Sequence, residues 1–409
     1  MLNTIIKYNN NNIDPILELY RGKIYCQIIK IFINLITTKL GTKIFSIKKS
    51  YYRTLTNILS SWMFTLYALQ PYNKDPFFPD SFEETLPLYN IIYDLCKYDN
   101  TILNCSTIIK DIINEFIYNI SIQINIFNKY KQSIFYKQIK NNFTITKYIY
   151  TQKRNNLFIY FYKFKIYVPF NIIDKRLINI LDNILVPLHI YYKLQNIYTG
   201  LPQYLDIFIW CICFRYQLLG SNNHQLSILP KNIYQMYKDF NLYFECFASA
   251  INYSLPNYCS IYFDLEQYFG SKGNFFTLNI IEGTYMFNPP YQINIIEYGI
   301  NKLLYHLYIA KNNNKHLTFI ITIPIWDKEG QNIINYHNKI DYGDCYIINK
   351  IKQSEFLIGI RLITKDKFTY FDHNFILFKN ITIQHTYIIM LSSNKNILFN
   401  KIMDYDFMV

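Results

Sequence analysis

Apolar residues recur at three- and four-residue spacing through the first third of the chain, as at Ile24, Ile28, Ile31 and Leu35. That period predicts helices from about Ile13 to Lys140. A segment rich in Pro, Asp and Phe, Pro71 to Pro87, interrupts them. The run Leu157 to Val168 predicts one or two strands, and helical spacing returns from Ile172 to Leu219. After Gly220-Ser221-Asn222-Asn223 the rhythm changes. Short apolar runs (Leu242 to Ala248, Gly283 to Asn288, Leu317 to Pro324, Cys345 to Asn349, Phe375 to Phe378) alternate with helical segments, the clearest from Ile295 to Ala310. Such alternation predicts an α/β fold with a largely parallel sheet, preceded by a mainly helical domain. The expected boundaries are a helical, basic domain over 1–155, a strand-and-helix connector over 156–200 and a sheet domain over 201–395. Ligands bind such sheets outside the carboxyl ends of the strands. Asn288, Pro324 and the step Phe247-Ala248-Ser249 stand at such ends.

Composition adds length and charge to this picture. The chain has 409 residues, half of them hydrophobic, enough for two or three domains with a sizeable core. Its formal charge of +13 is unevenly spread. No acidic residue falls between Glu115 and Asp174, a stretch that holds Lys129, Lys131, Lys137, Lys140, Lys147, Lys153, Arg154, Lys163 and Lys165. Aromatic residues are interleaved with them, among them Tyr130, Phe135, Tyr136, Phe143, Tyr148 and Tyr150. Lysines neutralise phosphates and aromatic rings stack on unpaired bases, so the stretch is a candidate surface for single-stranded nucleic acid, with Lys137, Lys140 and Lys147 at its centre. A solvated lysine face is the alternative. The eight cysteines form no Cys-x-x-Cys pair and have no histidine at zinc-ligand spacing, so buried free thiols are expected and no metal. No signal peptide and no apolar run of membrane-spanning length occurs, and the expectation is a soluble intracellular protein.

The stretch Asn288-Pro289-Pro290-Tyr291 carries the sharpest chemistry. Two prolines supply no backbone donors and fix the local backbone. The pattern suits methyl transfer to a planar exocyclic amine, whose lone pair is delocalised into its ring. The Asn288 amide oxygen and the Pro289 carbonyl can each accept one N–H and aim the lone pair. Pro290 helps to hold that geometry before reaction, and Tyr291 would stack on the base. A strand-ending turn is the alternative reading of the same four residues.

Other parts of such a site can be sought nearby. Phe244-Glu245-Cys246-Phe247-Ala248-Ser249 offers a cofactor loop after a strand, with Glu245, Phe247, Ala248 and Ser249 as candidates. Asp264 and Glu266 stand about twenty residues further on, where an acid can accept hydrogen bonds from ribose hydroxyls. Gly270-Ser271-Lys272-Gly273 is a further tight loop.

These segments, followed by Gly283-Thr284, Asn288-Pro289-Pro290-Tyr291 and Ile323-Pro324-Ile325-Trp326, occur in one order and spacing. The arrangement resembles the cap-specific adenosine N6-methyltransferase family, also called phosphorylated CTD interacting factor. Trp210-Cys211, Arg215-Tyr216-Gln217 and, more loosely, Asp75-Pro76-Phe77-Phe78-Pro79 extend the resemblance upstream, and His373-Asn374 extends it downstream. It is strong over about 205–330 and faint elsewhere.

The resemblance implies a Rossmann-like domain dependent on S-adenosyl-L-methionine, packed with a helical domain. The implied substrate is capped mRNA, modified at N6 of the cap-adjacent adenosine, with Trp326 as a substrate contact. RNA polymerase or the capping machinery would be partners, in nucleus or cytoplasm. Three departures stand out. Nothing in the chain resembles the WW domain of the family's animal members, Tyr291 replaces the usual Phe, and Ile325 replaces an acid. Within enzymes, DNA-adenine and protein-glutamine methyltransferases remain open alternatives. Outside them, so does a catalytically silent RNA-binding subunit.

Overall fold

The computed structural model describes residues 13–40, 50–70, 73–93 without 84, 87, 90 and 91, 105–140, 142–154, 157–168, 170, 174–219, 225–324, 346–373, 380–381 and 385–408. The chain divides into two compact units, Met1–Asn222 and Asn223–Val409. The division falls at the predicted change of rhythm, not at the expected boundaries of 155 and 200.

The first unit starts with a capped helix. Asp14 accepts hydrogen bonds from the Ile16 and Leu17 backbone N–H groups, and Pro15 occupies the first turn, where no donor is needed. The helix α1 (Pro15–Leu40) is followed by α2 (Ser50–Leu69), α3 (Cys105–Gln132) and the single-turn α4 (Ile134–Ile139). Then come two long strands, β1 (Thr144–Arg154) and β2 (Leu157–Tyr167). They pair antiparallel along their whole length, and β3 (Leu185–Pro187) adds to β2. The helix α5 (Lys175–Asp182) is capped by Asp174. Two more helices, α6 (Leu188–Ile197) and α7 (Leu205–Leu218), complete the unit. Apolar residues lie all round α7, and apart from Asp206 and Gln217 its residues are buried, as a helix without a polar face requires.

Strand β1 falls inside the stretch expected to be mainly helical. Its sequence, Thr-Ile-Thr-Lys-Tyr-Ile-Tyr-Thr, is dominated by β-branched and aromatic residues, which favour a pleated strand over a helix.

The second unit is an α/β fold around a six-stranded mixed sheet. In chain order its elements begin with β4 (Leu226–Ile228), α8 (Pro230–Phe240), β5 (Leu242–Glu245), β6 (Asn257–Tyr258) and the one-turn α9 (Phe263–Glu266). Next are β7 (Gly283–Phe287), α10 (Ile293–Asn312), β8 (Leu317–Pro324) and α11 (Tyr346–Lys352). The last are β9 (Leu357–Ile363), β10 (Tyr370–Asp372), β11 (Asn380–Ile381), β12 (Thr386–Ser392) and α12 (Asn400–Met403). The sheet order is β6-β5-β7-β8-β12-β9, and a small sheet runs β11-β10-β4. Strands β6, β5, β7 and β8 are mutually parallel, while β12 runs antiparallel to both β8 and β9.

Both faces of the sheet are covered, so its central strands are apolar with little interruption. Tyr285, Phe287, Phe319 and Ile321 face one cluster, built with Ile296, Ile300, Leu303 and Leu307 of α10. Met286, Ile320 and Ile388 face the other, with Ile233 and Met236 of α8. The alternation at 285, 286 and 287 is the period of two expected of a strand.

The run Cys345 to Asn349, which reads as one of the short strand-like segments, overlaps helix α11. Ile347, Ile348 and Ile351 are buried there at helical spacing, a signal that a five-residue window misses. The run Phe375 to Phe378 lies outside the described residues. Among the described residues no helix is long and apolar enough to cross a membrane.

Candidate active site

The spatial order of the parallel strands reverses between β5 and β7. From β5 the chain moves outward to β6, and from β7 it moves the other way to β8. Such a reversal of strand order is where ligands usually bind an open parallel sheet, outside the carboxyl ends of its strands. The loop 246–250 and the Asn288-Pro289-Pro290-Tyr291 turn flank that point. Cys246 N–H donates to Met286 O at 2.8 Å, which locks the two strand ends together.

Asn288 directly follows β7. Its amide oxygen Oδ1 is buried and has no hydrogen-bond partner among the described residues. Pro290 C=O accepts from Gln292 N–H at 2.7 Å, whereas Pro289 C=O has no such backbone partner among the described residues. Among the described residues the turn thus has an unpartnered side-chain acceptor and a carbonyl with no backbone donor. A buried acceptor left open costs about 1–3 kcal/mol. In a turn that served only to end a strand, nothing would offset that cost.

Tyr291 begins the passage into α10. Its half-buried ring packs against both core clusters and meets Tyr370 edge-on, with centroids 6.0 Å apart. Tyr370 is itself held by a hydrogen bond to Thr386 Oγ1 at 3.1 Å. Burial, followed by the neighbouring Tyr370, pushes the Tyr291 phenol well above its usual range. It stays protonated at neutral pH and does not serve as a base. The sequence assigns this ring wholly to a ligand, yet part of it is committed to Tyr370 and the core.

The expected cofactor residues separate into two groups. Phe247 and Ala248 are half-buried at the start of the loop, and Phe247 rests among Phe275, Phe276 and Phe287 at 4.8, 6.0 and 5.4 Å. Asp264 is likewise half-buried on α9. Glu245, Ser249 and Glu266 turn inward. Glu245 Oε1 accepts from the Ser254 and Leu255 N–H groups at 2.9 and 3.1 Å. Ser249 Oγ donates to Gln225 Oε1 at 2.8 Å, and its N–H donates to Asn252 Oδ1 at 2.7 Å. Glu266 has no solvent exposure; its two oxygens accept from Ala250 N–H at 2.7 Å and Tyr262 N–H at 3.2 Å.

Glu245, Ser249 and Glu266, expected as ligand contacts, thus each bond to backbone or side-chain groups of the protein itself. An irregular loop leaves backbone donors that must be met, and these side chains meet them. They shape the loop that follows β5, and of the two acids Asp264 is the one within reach of solvent. Gly270 and Gly273 take φ of +92° and +97°, where a side chain would strain the backbone, and carry the tight loop between α9 and β7. His373 enters the sequence reading only through the family resemblance. Its Nε2 lies 2.8 Å from Ser227 Oγ and its N–H donates to Gln225 O, so it steadies the residue that receives Ser249. Trp326 lies outside the described residues, as does Ile325.

The three lysines belong to the first unit. Lys137 is exposed on α4 and Lys140 is half-buried at its C-terminus. Lys147 is spent inside the unit. Its ammonium pairs with Asp206 Oδ1 at 2.8 Å, donates to the Tyr191 hydroxyl and lies 4.3 Å from the Tyr191 ring centroid. The alternation of β1 turns Lys147 to the face that packs on α6 and α7, which corrects its expected place on a nucleic-acid surface. Lys147→Ala is expected to lower the stability of this unit by about 1 kcal/mol, given the partial exposure of the pair. The salt dependence of RNA binding should not change. A reduced salt slope with unaltered stability would restore Lys147 to the binding surface.

Comparison with known proteins adds a family likeness. Residues 188–372 match the family model described as phosphorylated CTD interacting factor 1 WW domain. The chain is similar to that family over this stretch. A mouse (Mus musculus) protein, mRNA (2'-O-methyladenosine-N(6)-)-methyltransferase, is 30% identical over 127 residues, 29% of this chain and 17% of its own length. The human (Homo sapiens) protein of the same name is 28% identical over 124 residues, with the same shares. The chain thus spans 17% of the length of these curated relatives. The expectation that nothing here resembles a WW domain is corrected, because the matching model carries that description. Helices α6, α7, α8 and α10 and strands β4 to β10 fall in the matched stretch. The likeness therefore rests on the sheet and its loops, not on a short module ahead of them.

Proposed function

We propose that this protein is an S-adenosyl-L-methionine-dependent RNA methyltransferase acting on N6 of adenosine, its second unit a Rossmann-like catalytic domain. The observation that carries the reading is the Asn288 amide oxygen, buried without a partner among the described residues, beside the open Pro289 carbonyl at the strand-order switch. Two aimed acceptors match the two N–H bonds of an exocyclic amine. They would localise its lone pair and point it toward an electrophile held by the neighbouring loop. Tyr291 would support one edge of the base from its seat on Tyr370.

The residues present fit the cofactor. Phe247 and Ala248, half-buried, would offer apolar contact and Asp264 a carboxylate to a ribose diol, while the inward Glu245, Ser249 and Glu266 keep the loop in shape. When bound, S-adenosyl-L-methionine supplies an activated methyl group on a sulfonium. No residue of the turn needs to act as a base, since the amine proton becomes acidic and leaves once nitrogen has gained its fourth bond.

The names of the mouse and human relatives favour mRNA, and a 2'-O-methyladenosine within it, as the substrate; we propose the cap-adjacent adenosine as that residue, as the family resemblance implies. The test is incubation with labelled cofactor and adenosine-initiated RNA, capped or uncapped, with DNA as a control. Label in capped RNA is expected. Preferential labelling of DNA or of protein would overturn the proposal, as would no label in any acceptor.

Tyr291 gives a finer check. Tyr291→Phe keeps the ring and its seat, and should retain activity. Tyr291→Ala should lose most of it, since stacking contributes about 1–3 kcal/mol per base. Equal rates for the two variants, at equal melting temperature, would remove the ring from the site.

A further inference from the structure

The β1–β2 hairpin carries a surface that the transfer site does not use. Residues directly opposite in an antiparallel pair share a face. Tyr148 stands opposite Lys163, Tyr150 opposite Phe161, Thr146 opposite Lys165 and Thr144 opposite Tyr167. One face therefore gathers Tyr148, Tyr150, Lys163, Lys165 and Tyr167, with Phe161 of the same face buried. Lys147 and Phe164 lie on the other face, where Phe164 is buried and Lys147 meets Tyr191 of α6 and Asp206 of α7. The three tyrosines of the first face are 44%, 38% and 50% exposed; Phe158 and Tyr160 on the opposite face are exposed too, so the lysines beside the tyrosines set the first face apart. Lys163 Nζ lies 5.8 Å from the Tyr150 ring centroid and Lys165 Nζ lies 5.1 Å from that of Tyr167.

We propose that this face holds an extended, unpaired stretch of RNA. The inference rests on the reading of the chain as an RNA enzyme but concerns a surface separate from the transfer site. Charge selects the occupant. From residue 116 to 173 there is no acidic side chain, so no acid of the hairpin itself stands beside Lys163 or Lys165. The spacing of ring and ammonium lets a base lie on a tyrosine while its phosphate meets Lys163 or Lys165. A duplex offers phosphates but hides the base faces, so the rings select unpaired strands. Phosphate contacts of this kind position the chain without reading its sequence.

The test uses the full chain and the fluorescence anisotropy of a short, labelled, uncapped and unstructured RNA. Tyr148→Ala with Tyr150→Ala should weaken binding about tenfold or more, and the corresponding pair of Phe substitutions should not. Lys163→Glu with Lys165→Glu should lower the slope of log affinity against log salt by about 0.7 for each phosphate that is no longer neutralised. Phe158→Ala with Tyr160→Ala, on the opposite face, should leave affinity unchanged. All variants should methylate a capped dinucleotide at the wild-type rate, because that substrate has no extended RNA body for the hairpin to hold.

Unchanged affinity in the Tyr and Lys variants would overturn the proposal. So would equal loss from the opposite face, equally tight binding of duplex RNA, or a protein strand adding to the β1 edge in place of RNA. Absence of methyl transfer by the wild type would defeat the enzymatic reading while the binding measurement still decides this one.

Discussion

Asn288→Ala is expected to lower the rate of methyl transfer about a hundredfold or more while leaving cofactor binding and fold intact. The magnitude is that of removing one aimed polar group from a reacting centre, about 3 kcal/mol of barrier. The structure adds an expectation about stability. Asn288 Oδ1 is buried without a partner among the described residues, so in the free protein it is a liability. Its removal deletes an unmet acceptor, and the melting temperature of the variant should stay level or rise slightly. The two outcomes separate the roles. A residue that only ends β7 would lose stability with little effect on rate, whereas a residue that orients an amine loses rate and not stability. Near-normal turnover in folded Asn288→Ala protein would remove the assignment. A clear fall in melting temperature would count against it as well.

The turn at Asn288 is legible in the sequence because its signal is local. Two prolines between an apolar run and a helical period can be read within ten residues, and β7 and α10 stand on either side as expected. The reversal of strand order that makes this end of the sheet the usual ligand site is not legible, because it depends on β6 pairing outside β5, and a two-residue strand has no period of its own. The inward roles of Glu245 and Glu266 escape for a related reason. An acid near a strand end has the same letter whether it faces a ribose or meets the N–H groups of Ala250, Ser254 and Leu255. Only the path of the loop decides between them. In Lys147 a period-two alternation is hidden by composition. With lysine and tyrosine so frequent, the inward lysine of β1 looks like its outward neighbours until Asp206 is brought beside it.

A second large effect is expected far from the sheet, at Glu18 of α1. Its carboxylate is buried and accepts from Arg215 Nε at 3.0 Å, Arg215 Nη2 at 2.7 Å and Arg21 Nη1 at 2.6 Å. Arg21 in turn donates from Nε to both oxygens of Asp75, at 3.2 and 3.1 Å. Two guanidiniums and two carboxylates thus cancel within the first unit, and Glu18 joins the pair that would otherwise repel. Glu18→Ala removes the buried carboxylate that Arg21 and Arg215 share and should destabilise this unit by about 3–5 kcal/mol, read from denaturant midpoints. Replacing Glu18 and Arg215 together by methionine removes both charges and fills the space, so the double variant should recover much of the loss.

Acid should reproduce part of the effect. Burial alone would raise the Asp75 carboxyl, but the Arg21 guanidinium more than offsets it and holds the group below its ordinary value of 3.8. A depressed folded value means that the contribution is complete above that ordinary value and is lost as pH falls through the folded one. The stability of this unit should therefore drop below about pH 4, and less steeply in an Asp75→Asn variant that is already weakened at neutral pH. A single Glu18→Ala variant within about 1 kcal/mol of wild type would show that the four charges contribute little to holding α1 against α7.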